Sequence, residues 1–218
     1  MRNRVTVKQP LMRIELQHIG KKFNSEWIFR DISFVFETQL PAAILGRNGS
    51  GKSTLLQIIA GNLHPTSGEV LYTLNGNQIP DGEIFRHLTM VAPYLELVED
   101  FTLREMIDFH FSFKPFIQGF NRQKIIDLLG FQGGSHKQLR QFSSGMKQRV
   151  KLIIAILSDV PLLLFDEPAM NLDQSGIDWY LRMMDDFTKN RTVIICSNQH
   201  QTESEFASST LLVEEYKK

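Results

Sequence analysis

Between Ala43 and Leu56 the sequence reads AILGRNGSGKSTLL, and no other stretch restricts the fold as strongly. Gly46, Gly51, Lys52 and Ser53 fill the fixed places of the pattern G-x-x-x-x-G-K-[ST]. The apolar residues Ala42 to Leu45 read as a buried strand, and Lys52 to about Ala60 as a helix with Gly61 just past its end. A glycine loop between a strand and a helix turns backbone N–H groups and the positive helix end toward phosphate oxygens. The candidate phosphate-binding residues are therefore Gly46, Arg47, Asn48, Gly49, Ser50, Gly51, Lys52, Ser53 and Thr54. Lys52 is placed to reach β- and γ-phosphates, Ser53 to offer its hydroxyl to Mg²⁺, and the glycines to let the backbone come close. The ligand class implied is a nucleoside triphosphate.

A second motif fits the same chemistry. The apolar run Leu162 to Phe165 ends in Asp166 and Glu167. A strand that ends in a carboxylate presents that group to a ligand at the C-terminal edge of a doubly wound sheet. Asp166 is the candidate magnesium carboxylate, and Glu167 the residue that orients or deprotonates an attacking water.

The rest of the chain supplies a frame for these motifs. Alternating segments over Met12 to Leu45 predict strands, HPTSG at His64 to Gly68 a turn, and EVLYT a short strand. From Thr102, apolar residues at spacings of three and four predict amphipathic helices, and residues 95–145 read as a helical insertion. A helix over Ser144 to Leu157, the strand PLLLF, a helix around Gly176 to Phe187 and the strand TVIICS follow. Strands alternating with helices imply a parallel sheet. With 42% hydrophobic residues, the 218-residue chain can bury a sizeable core.

The 24 basic and 24 acidic side chains balance, so composition gives no reason to expect nucleic acid as a partner. The only cysteine, Cys196, and the polar start MRNRVTVKQP point to a reducing cytoplasm, and no apolar run approaches the roughly 20 residues of a membrane span.

With FSSGMKQRVKL at Phe142 to Leu152, just upstream of the DEP segment, the chain resembles the nucleotide-binding domain of ATP-binding cassette (ABC) transporters over nearly its whole length. The resemblance implies an α/β P-loop NTPase fold. It comprises a mostly parallel core sheet, an N-terminal antiparallel β subdomain and the helical insertion, all in one domain over residues 1–218. It implies that Ser143, Ser144 and Gly145, in the place of the family's signature, contact the γ-phosphate held by an opposite subunit. The same SSG is also a plain helix cap. Asn171, Leu172 and Asp173 fall at a dimer interface, and Phe23, or less directly Trp27, stacks on adenine. The resemblance further implies an ATPase with ATP and Mg²⁺, paired with a second copy or a related subunit. Such a pair sits on the inner face of the membrane through a separate permease.

Two positions depart from the family. Pro93 occupies the place of a glutamine, with Tyr94 and Glu96 nearby, and Asn198 occupies the place of the switch histidine, with His200 two positions later. Asn198 can hydrogen-bond a γ-phosphate but cannot take up a proton. These departures keep open a degenerate regulatory module that binds ATP, hydrolyses it weakly and pairs with a catalytic partner. A soluble repair or ribosomal ATPase fits less well, because the stretch between Thr54 and Ser143 carries no sustained heptads and the chain has a single cassette.

Overall fold

The computed structural model describes residues 11–80, 82–131, 133–198 and 207–217. Strands β1 (Met12–Phe23) and β2 (Glu26–Glu37) form a long antiparallel hairpin. Met12, Ile14 and Leu16 turn inward, while Arg13 reaches Glu15 and Glu37 on the exposed face. This is the period of two that the sequence shows. The short strand β3 (Ala42–Leu45) and helix α1 (Lys52–Ile59) follow. Strands β4 (Ser67–Leu74) and β5 (Asn77–Gln78) then return to the hairpin, giving an antiparallel sheet of order β2-β1-β4-β5.

The second sheet is wholly parallel. Its strands are β6 (Leu88–Val91), β7 (Leu162–Asp166), β8 (Thr192–Ser197), β3 and β9 (Ser209–Leu212), in the order β6-β7-β8-β3-β9. Helices α2 (Leu103–Phe113), α3 (Arg122–Leu129), α4 (Ser144–Ile156) and α5 (Gln174–Phe187) complete the chain. Their starts are written locally. Thr102 and Glu105 close a reciprocal capping box on α2, and Asn121, Ser143 and Asp173 cap the other three through side-chain oxygens. Because Asp173 is the cap, α5 begins two residues before the Gly176 expected from periodicity. Strand β9 had no counterpart among the expected elements.

Both faces of the parallel sheet are covered, which explains its nearly unbroken apolar strands. Leu162 and Leu164 of β7 pack with α1 and the antiparallel sheet, whereas Leu163 and Phe165 pack against α4 and α5. All four are fully buried, so truncating any of them to alanine costs about 2–5 kcal/mol. The arrangement is the α/β fold expected from the sequence, and it brings the ends of β3, β6, β7 and β8 to one edge. Among the described residues no helix is long and apolar enough to cross a membrane.

Candidate functional site

At that edge, β3 lies between β8 and β9 and releases the chain into the glycine loop. Gly51 has φ +105°, and a Cβ there would come within 2.5 Å of Ile28 Cγ2, so both conformation and space require glycine. No side chain caps α1 and its first turn carries no acidic residue. A helix start of this kind offers its N–H groups to an anion.

Lys52 is buried, and its ammonium donates to Gly46 O at 2.8 Å, Arg47 O at 3.3 Å and Asn198 Oδ1 at 2.5 Å, with Glu167 Oε1 3.9 Å away. The ammonium is thus held mainly by neutral oxygens, which a phosphate can replace with a gain in charge pairing.

Asp166 ends β7 and is buried, with Ser53 hydrogen-bonded to its carboxylate. Burial pushes its carboxyl above the usual range, against the opposing pull of Ser53 and the Lys52 charge. Glu167 follows in the left-handed region at φ +51°, its N–H donated to Cys196 O at 3.0 Å. Strained backbone of this kind recurs at functional sites.

Three buried polar atoms here have no partner: Ser50 Oγ in the loop, Asp166 Oδ1 and Ser197 Oγ. The sheet register brings them to one edge, since Leu45 lies beside Ser197 and Asp166 beside Cys196. Buried orphans are rare enough to call for a ligand. A hydroxyl, a carboxylate oxygen and nearby loop amides suit phosphate oxygens and a hydrated Mg²⁺. Among the described residues no group of three His, Cys, Asp or Glu could hold a metal by itself, so a magnesium here would also take ligands from phosphates and water. Ser197 was not foreseen, because one serine closing the apolar TVIICS carries no signal of its own.

Ser143, Ser144 and Gly145 line a different pocket, of about 320 Å³, together with Arg149, Asn171 and Asp173. Ser143 accepts from Met146 N–H at 3.2 Å, so it does cap α4, yet its pocket is polar and open. A Cβ on Gly145 would lie 2.9 Å from Asn171 O, which ties the start of α4 to the turn before α5. The Asp173 carboxyl is held below its usual range by the Gly176 N–H. Arg149 lies over the rings of Phe131 and Trp179, at 5.2 and 4.6 Å from their centroids. None of the glycine-loop residues lines this pocket.

The remaining candidates separate. Phe23 is exposed at the end of β1 with the Lys21 ammonium 5.1 Å from its ring. Trp27 is engaged by Lys22 at 5.5 Å and Arg30 at 4.4 Å. Pro93 is exposed just beyond β6. The following residue, Tyr94, hydrogen-bonds the Gln57 side chain of α1 and feels the Asp166 charge, and burial raises its phenol above the usual range. Glu96 instead lines an apolar groove with Leu95, Leu97, Met106 and Lys151. His200 lies outside the described residues.

Comparison with known proteins adds findings of three kinds. Residues 29–170 match the family described as ABC transporter. The energy-coupling factor transporter ATP-binding protein EcfA2 of Thermotoga maritima is 31% identical, over 95% of this chain and 81% of its own. Two relatives from Bacillus subtilis are longer, and the chain spans 61% and 62% of their length. Among solved structures, a putative ABC transporter ATP-binding protein from Pyrococcus furiosus superposes with TM-score 0.79 at 20% identity, covering 94% of this chain and 100% of that one. A dimeric bacterial ABC transporter cassette gives TM-score 0.76 at 20% identity, over 92% and 95% of the two chains. At these identities the structural likeness establishes the fold.

Proposed function

Because the chain belongs to the ABC transporter family, we propose that it is the ATP-binding, ATP-hydrolysing subunit of such a transporter, closing in pairs on two MgATP to drive a separate membrane permease. The observation that carries this reading is the convergence of Lys52 with three orphaned polar atoms, from Ser50, Asp166 and Ser197, at one sheet edge.

Each residue then has a task. The N–H groups of Gly51 to Thr54, at the uncapped start of α1, cradle the phosphates, and Lys52 exchanges its neutral partners for β- and γ-phosphate oxygens. Ser53 and Asp166 hold Mg²⁺, which when bound offsets phosphate charge. Glu167 accepts a hydrogen bond from the attacking water and takes its proton. Asn198 turns its amide from Lys52 to the γ-phosphate, and Phe23 offers a ring face to adenine.

The Ser143–Gly145 pocket has no lysine of its own and offers a hydroxyl and a helix start, the complement a γ-phosphate on a second subunit needs. The relation to a dimeric cassette of the same fold supports pairing. We place the permease at the apolar groove beside β6, where exposed Phe85 and Leu95 adjoin the buried lining. Residues 95–145 act there as a helical insertion, and the chain sits on the inner membrane face only through that contact.

Light scattering tests the pairing. Glu167→Gln is expected to shift from monomer to dimer on adding MgATP, and Lys52→Ala to stay monomeric. An Glu167→Gln mass that ignores nucleotide at saturating concentration would remove the paired-site mechanism.

A further inference from the structure

The glycine loop is gripped from outside by a segment far away in the sequence. Strand β9 runs parallel to β3 with Leu212 beside Leu45, so the two strands release their following residues side by side. Val213 is fully buried and Tyr216 packs against the core, which fixes the short 3-10 turn Val213–Tyr216 against the sheet. Lys217 N–H closes back on Glu214 O at 3.3 Å. From this base Glu214 Oε1 accepts the Arg47 N–H at 2.8 Å, and Lys217 Nζ donates to Gly49 O at 3.1 Å.

From inside, the same loop is held by Lys52 on Gly46 O and Arg47 O, and by the turn bond from Ser50 N–H to Arg47 O at 3.0 Å. The two sets differ in what ATP does to them. Lys52 is drawn toward phosphate oxygens when a triphosphate enters, so its hold on the loop weakens at the moment the loop must keep its shape. Glu214 and Lys217 approach the loop from the side of β9 and the turn, and their bonds do not compete with Lys52.

We propose that Glu214 and Lys217 form a clasp that preorganises the phosphate loop for MgATP, acting as positioning residues for nucleotide binding. Glu214 works here as an acceptor for a backbone N–H and Lys217 as a donor to a backbone carbonyl, so the pair adds no net charge to the loop. The clasp rests on the ATP-binding reading above.

Titration of the purified chain with MgATP by calorimetry tests it, using wild type, Glu214→Ala, Glu214→Gln, Lys217→Ala and the exposed neighbour Glu215→Ala as control, each checked by thermal unfolding. Both groups are exposed, so loss of one charge-assisted bond is expected to raise the Kd by about three- to tenfold in Glu214→Ala. Glu214→Gln keeps an acceptor oxygen and is expected within about twofold of wild type, as is Glu215→Ala. At saturating ATP the phosphate-release rate of Glu214→Ala should stay within about twofold of wild type, with the change confined to KM. Should Glu214→Ala lose its fold, Lys217→Ala carries the same expectation.

Two results overturn the clasp while leaving ATP binding intact: alanine variants that bind like wild type, or Glu214→Gln weakened as much as Glu214→Ala. A wild-type chain that binds no MgATP would instead overturn the ATP-binding reading, and the clasp with it.

Discussion

The Lys52 ammonium donates to Asn198 Oδ1 across 2.5 Å, joining the loop after β3 to the residue that follows β8. In the proposed mechanism this bond is exchanged when ATP arrives, and Asn198 moves to the γ-phosphate. Asn198→Ala is therefore expected to slow phosphate release by about 10- to 100-fold with a smaller effect on MgATP affinity. Asn198→His should instead gain a pH dependence near pH 6–7, because an imidazole titrates there and an amide does not. Rate measurements from pH 5.5 to 8.5 check both.

Tyr94 stands where the strand register puts it. Val91 pairs with Phe165, so the residues after β6 emerge beside Asp166, and the tyrosine side chain hydrogen-bonds Gln57 there. Tyr94→Phe removes only the hydroxyl. The expected result is a several-fold fall in kcat at unchanged MgATP Kd, read by steady-state kinetics together with calorimetry.

Gly145 tests how tightly the second pocket is built. A methyl group at that position would sit 2.9 Å from the Asn171 carbonyl oxygen, which is backbone and has little freedom to withdraw. Gly145→Ala is expected to cost about 1–3 kcal/mol in urea unfolding and to weaken ATP-dependent pairing. Ser143→Ala, by contrast, loses a cap worth about 1 kcal/mol.

Acid stability follows from His110. Its Nε2 lies 2.8 Å from Ser158 Oγ, and Ser158 itself donates to Ile154 O, so the Nε2–H is the donor. Burial, reinforced by Lys114, lowers its pKa from 6.5 to about 4. The unfolded chain thus binds a proton between those values while the folded chain does not. The stabilisation is complete above pH 6.5 and is lost as the pH falls toward 4, by about 3 kcal/mol at most. Urea unfolding at pH 4.5 and 7.5 should show a smaller difference in His110→Gln, whose amide can also donate to Ser158.

What could be read from the sequence was local. Gly46, Gly51 and Lys52 announce a phosphate loop because their chemistry depends on adjacent positions. Asp166 and Glu167 stand out as charges closing an apolar strand. Capping residues such as Ser143 and Asp173 likewise act within three positions of themselves.

The parts that stayed hidden depend on strand order and register. Nothing in LTMV reveals that β6 lies beside β7 and so delivers Tyr94 to Asp166. Ser197 becomes an orphan beside the loop only because β8 pairs with β3. Glu214 reaches Arg47 across 167 positions, a separation at which sequence spacing holds no information.

Phosphate release from the purified chain, followed against protein concentration with MgATP, tests the central claim most directly. Wild type is expected to rise more steeply than linearly as pairs form, while Glu167→Gln and Lys52→Ala stay at background, each down by about 100-fold or more. Equal rates in all three proteins would contradict the account, since the activity would then owe nothing to Glu167 or to the loop lysine.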